Sequence, residues 1–144
     1  MNASGPPPSR GEGSACPCGS GAAQEQCCGP VLAGERPAAT AEELMRSRFT
    51  AFALADLDHL LASWDPAHRP SREELASTWD PALRWTRLRI LDVEGGGQED
   101  ATGIVEFAAL ARGPEGKVRL HERSRFRRIP LHPGWVYVDG EIAP

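Results

Sequence analysis

Four cysteines fall between positions 16 and 28, as the pairs Cys16-Pro17-Cys18 and Cys27-Cys28, and none follows them. Disulfides that staple a fold are spread along it, whereas these thiols are gathered where one ion can meet all four. Zinc takes four thiolates in a tetrahedral shell at about 2.3 Å, which a C-x-C pair and a C-C pair across a short loop can supply. Gly19-Ser20-Gly21 lets backbone N–H groups turn toward the sulfurs and spread thiolate charge. Gly29-Pro30 is expected to stop any helix that carries the second pair. Four thiolates leave no coordination position for water or substrate, so Cys16, Cys18, Cys27 and Cys28 are read as ligands of a structural zinc rather than as nucleophiles. A vicinal Cys27–Cys28 disulfide would be strained, and the chain opens without the apolar run of a secretory signal.

A second place for chemistry is the stretch 118–128. Side chains on a strand alternate faces, so Val118, Leu120, Glu122, Ser124 and Phe126 share one side. Arg119, His121, Arg123, Arg125 and Arg127 share the other. The apolar set must face the helices, which places Glu122 and Ser124 among core residues. A buried carboxylate is costly unless paired, and Arg46 or Arg48 in the preceding helix is its expected partner. A polar pocket with Glu122, Ser124, Tyr137 and tryptophans is the sharper alternative. His121 and Glu122 diverge as strand neighbours and form no dyad. His59, His68 and His132 have no partner in sequence, and no nucleophile elbow or phosphate loop is present. The arginine side could meet RNA, but pairing with Asp92, Glu94, Glu99, Asp100 or Glu106 across strands is favoured.

These groups need elements to hold them. Thr40 with Glu43 reads as a capping box opening a helix whose apolar positions include Leu44, Met45, Phe49 and Phe52. Asp56 should cap a second short helix, and Ser71 with Glu74 a third. Beyond Pro81 the period changes to four strands, near 84–94, 102–111, 118–128 and 134–138, joined by Gly- and Pro-rich turns. Helices followed by a meander give an α+β fold with the helices on one face of an antiparallel sheet. The expected organisation is a disordered segment 1–14, a zinc module 15–30, a linker 31–39 and an α+β domain 40–141. The module is expected to fold on its metal, independently of the main domain.

At 144 residues the chain suits one ordinary domain with a small appendage, and its formal charge of −4 argues against general affinity for polyanions. No stretch approaches the ~20 apolar residues of a membrane span. A cytoplasmic protein is expected.

The run Cys16-Pro17-Cys18-Gly19-Ser20-Gly21 with Cys27-Cys28-Gly29 resembles the SEC-C zinc motif, also found at the C-terminus of the preprotein translocase motor SecA. The stretches 40–49 and 120–126 resemble the YchJ-like family of bacterial proteins. That resemblance implies a nuclear transport factor two-like domain, a curved sheet wrapped by helices into a cone. It brings no settled activity. The loop 22–26 here carries one acid and no base, so an acidic partner of the SecA type is not implied. The function expected is a non-enzymatic zinc-binding adaptor that meets a protein partner through its knuckle. The alternatives are a small-molecule-binding or catalytic cone domain with a zinc appendage, or an RNA- or ribosome-associated factor using the arginine face.

Overall fold

The computed structural model describes residues 15–142, so the expectation for 1–14 lies outside the described residues. Helices α1 (Cys28–Leu32), α2 (Ala41–Leu54), α3 (Leu57–Ala62) and α4 (Arg72–Ser77) come first. Strands β1 (Arg84–Gly95), β2 (Thr102–Gly113), β3 (Gly116–Arg128) and β4 (Trp135–Ile142) follow. They form one antiparallel sheet in the order β1-β2-β3-β4. The fold is α+β, as the pattern predicts.

Caps set the helix starts. Thr40 Oγ1 accepts the Glu43 N–H at 3.0 Å, but the Glu43 carboxylate turns to the Ala39 N–H and to Arg36 rather than closing the box on Thr40. Asp56 accepts from the His59 N–H, and Ser71 and Glu74 form a complete reciprocal box. Ala55, at φ 59°, turns the chain between α2 and α3. Helix α2 crosses the inner face of the sheet, where Leu44, Met45 and Phe49 pack with Leu88, Val105, Phe107, Phe126 and Trp135.

The cysteine segment packs into that same core. Cys16, Cys18, Cys28, Val31 and Ala38 are all buried in the α2 cluster. The segment is too short for its own core, so it borrows the helix. Gly29-Pro30 also lies inside α1 instead of stopping a helix. The pair sits in the first turn, where the missing proline N–H costs nothing.

The helical layer is locked to the sheet edge at Asp65. Its N–H donates to Tyr137 O, and the Tyr137 N–H donates to Ser63 O, each at 2.8 Å. The Asp65 side chain is 1% exposed, with Arg127 Nη2 at 2.7 Å from Oδ2. Burial would raise the carboxyl, but Arg127 and the Ala67 N–H hold it below the ordinary carboxylate value. A depressed folded value gives stability that is complete above the unfolded pKa, near ~3.9. That stability is lost as pH falls through the folded value. Asp65→Asn should cost roughly 1–3 kcal/mol near neutral pH, half-exposed Arg127 softening the loss. Thermal melts of variant and wild type should converge as the buffer is taken through the acid range.

Candidate metal centre and adjoining cavity

The four sulfurs lie within 4.8 Å of one another. Cys18 and Cys27 are 3.6 Å apart and Cys27 and Cys28 3.9 Å, close to the ~3.8 Å edge of a tetrahedron with Zn–S bonds of ~2.3 Å. All four are free thiols. The knuckle closes through Cys16 N–H to Ala22 O and Gly19 N–H to Cys16 O. Gly19 takes a φ of +81° there, which an L side chain would resist. The Ser20 N–H is a donor to Cys18, as such knuckles require. Crowding prevents all four thiols from ionising alone. Donation from Cys16 and Cys28 drives Cys18 down, and interaction with Cys16 and Cys18 drives Cys28 up. A cation would resolve that conflict, and the cluster could hold a metal ion.

Helix α2 grips this cluster. Arg46 Nη1 donates to Cys18 O at 2.9 Å while its Nε holds Glu42 at 3.0 Å. Arg36 Nη2 reaches Cys27 O, and Thr50 Oγ1 lies 3.6 Å from Cys16 Sγ.

On the other side of α2, between the helix and the sheet, lies a cavity of about 260 Å³. Met45, Arg48, Phe49 and Phe52 roof it, Trp64 closes one flank, and Trp85, Phe107, Ala109, Leu120, Glu122, Ser124 and Tyr137 line the sheet side. Arg48, Glu122, Ser124 and Tyr137 are thus brought together as the pocket reading requires. Arg46 is not among them, because two residues along a helix is more than half a turn.

The expected Glu122–arginine pair does not form. Glu122 Oε2 instead accepts from Ser124 Oγ at 2.6 Å and from the Tyr137 hydroxyl at 3.0 Å. Arg48 Nη1 donates to Leu60 O and Ser63 Oγ, and its guanidinium lies 4.8 Å from the Trp64 ring and 4.4 Å from the Tyr137 ring. Tyr137 therefore stands between the two charges, offering its ring to one and its hydroxyl to the other. Burial pushes the Arg48 guanidinium down to about 10, so it remains a cation at neutral pH. Burial and then Glu122 push the Tyr137 phenol up.

Spacing in α2 marked Met45, Phe49 and Phe52 as core, and periodicity has no way to tell a core from the wall of a cavity. Ser47 and His59 form a buried contact that the sequence pattern missed. Ser47 Oγ gives its proton to Leu44 O at 2.7 Å and accepts from His59 Nε2 at 2.9 Å. Burial, then Arg48, holds that imidazole down at about 4 and neutral.

The outer sheet face is divided. Arg123 meets Asp92, Glu94 and Glu106, His121 meets Glu106, and Arg125 meets Asp139, in line with cross-strand pairing. Glu99 and Asp100 take no part in these ion pairs. Arg84, Arg87, Arg89, Arg112, Lys117 and Arg119 are exposed at the opposite end.

A cysteine knuckle seated on the central helix of an NTF2-like α+β domain defines the class of protein. The family described as YchJ, middle NTF2-like domain, matches residues 40–140. The chain belongs to this YchJ-like family. A UPF0225 protein of Corynebacterium efficiens is 51% identical over 128 residues, 89% of this chain and 93% of the relative. One from Streptomyces coelicolor is 48% identical over 88% of this chain and 94% of its own length. The solution structure of a SEC-C motif containing protein from Rhodopseudomonas palustris superposes with a TM-score of 0.78 at 36% identity, covering 90% of this chain and 98% of the other. The crystal structure of such a protein from Psychrobacter arcticus shares the fold, with a TM-score of 0.73 at 24% identity over 90% and 82% of the two chains.

Gly140 gives Glu122 its seat. It lies opposite Ser124 on β4, and a Cβ there would fall 2.1 Å from Glu122 Oε2. Gly140→Ala should push the carboxylate off Ser124 and Tyr137. The Tyr137 ring NMR signals should shift while the melt falls by no more than about 1–2 kcal/mol, because the loss is hydrogen bonding rather than core volume.

Proposed function

We propose that this protein binds a small molecule in the cavity beneath α2, and that its four thiolates hold a structural zinc bracing that helix. One observation carries the reading: a buried guanidinium and a carboxylate share an aromatic cavity without pairing with each other. Convergent polar groups in an apolar concavity are the usual makings of a ligand site. The tetrahedral spacing of the thiols supports zinc, and unoxidised thiolates suit the reducing cytoplasm. The adaptor role has narrower support, since Cys16, Cys18 and Cys28 are buried and residues 19–22 form the exposed rim. The reading is binding rather than catalysis, because the lining of the cavity pairs its one carboxylate with no histidine or cysteine.

Metal analysis of protein purified under reducing conditions should give close to one zinc per chain, lost in Cys27→Ser. Because the cluster sits in the α2 core, chelation should lower the main melting transition as well as disorder the knuckle. An unchanged main transition would return the module to the status of an appendage.

The cavity is tested by a fragment screen read through the indole NMR signals of Trp64 and Trp85. Fragments should shift both, and Ala109→Leu, which grows into the cavity, should weaken them at least about tenfold, or ~1.4 kcal/mol. If no fragment moves either indole, the cavity is not a binding site.

A further inference from the structure

We infer that the ligand is a small zwitterion of amino-acid size, with an anionic group for Arg48, a cationic group for Glu122 and an apolar body. This rests on the cavity being the binding site. Arg48 is 3% exposed, and only Nη1 of its donor nitrogens is engaged among the described residues. Among the described residues, the buried side-chain atoms without a hydrogen bond are His132 Nδ1 and Asp65 Oδ2, the latter held by its ion pair to Arg127. Nε and Nη2 of Arg48 are not among them, so both nitrogens keep accessible surface, and Arg48 lines the cavity.

Glu122 presents the opposite condition. Two donors converge on Oε2, while Oε1 has no hydrogen bond among the described residues. A carboxylate in a mostly apolar wall has acceptor capacity to spare. The structure therefore holds a fork of unspent donors and an unspent acceptor in one enclosure, with the Tyr137 ring keeping them from meeting.

Charge decides the class. Like charges close together in a low-dielectric enclosure repel strongly. A purely anionic ligand would satisfy Arg48 and meet Glu122, and a purely cationic one the reverse. A ligand with both charges satisfies each and leaves the cavity neutral. Its body would lie against Phe49, Phe107 and Trp85, the Phe49 and Trp85 rings standing edge to face at 6.4 Å. A volume of about 260 Å³ falls just below the range of drug-sized pockets, roughly 300–1,000 Å³, so an amino acid fits where a nucleotide would not.

Four probes built on one ring separate the possibilities: phenylalanine, 3-phenylpropionate, phenethylamine and benzyl alcohol. Each is titrated into the full zinc-loaded chain and read from the Trp64 and Trp85 indole signals. Phenylalanine should bind at least about tenfold tighter than either singly charged probe. In Glu122→Gln, confirmed folded by its melt, that advantage over 3-phenylpropionate should vanish. Equal or tighter binding of 3-phenylpropionate or benzyl alcohol overturns the zwitterion while leaving the cavity a binding site. So does silence from all four when other fragments bind. Indoles that respond to no fragment at all remove the site and the zwitterion together.

Discussion

The guanidinium of Arg48 is the point at which the layers of this fold meet. Placing a cation in a core carries a desolvation penalty of several kcal/mol. Here it is offset by charge-assisted hydrogen bonds to Leu60 O and Ser63 Oγ and by two aromatic faces. Those contacts join α2 to the end of α3 and to β4. Tyr137 then carries the connection onward through its hydroxyl to Glu122 on β3. Every element that walls the cavity except β1 and β2 is tied to this one side chain or to its immediate neighbour. An apolar residue at the same position could fill the space but would supply none of these directions.

The cysteine cluster acts on the same helix from the other side. Arg46 and Thr50 face the knuckle while Arg48, Phe49 and Phe52 face the cavity, a division that follows from 3.6 residues per turn. A metal held by the four thiols would fix the knuckle, and the knuckle is packed against the helix that roofs the cavity. The two sites are thereby mechanically adjacent without sharing a residue. The same economy of faces is seen in β3, whose inner side supplies Glu122 and Ser124 to the cavity while its outer side carries Arg123 into a cluster of acids.

Family membership agrees with this integration. The curated relatives align over nearly their full lengths, and the Rhodopseudomonas palustris structure covers 90% of this chain and 98% of its own. A segment that packs into the core of the domain beside it has reason to travel with that domain.

Much of this was legible in the residues alone. Cysteine spacing located the thiol cluster, because four short side chains on a tight loop have few places to go. Capping residues located the helix starts, and strict alternation in β3 put Glu122 and Ser124 on the inner face, because a strand has only two sides. Partnership was not legible. Whether Glu122 would meet Arg46, Arg48 or neither depended on Tyr137, which comes from a strand later in the chain, and on Gly140, whose missing side chain makes room for the carboxylate. The burial of the cysteine segment against α2 was likewise decided in three dimensions. Local pattern determines which face a residue occupies, since that is set by the geometry of its own helix or strand. What it touches across that face is set by the packing of elements distant in sequence, and only the tertiary structure supplies that.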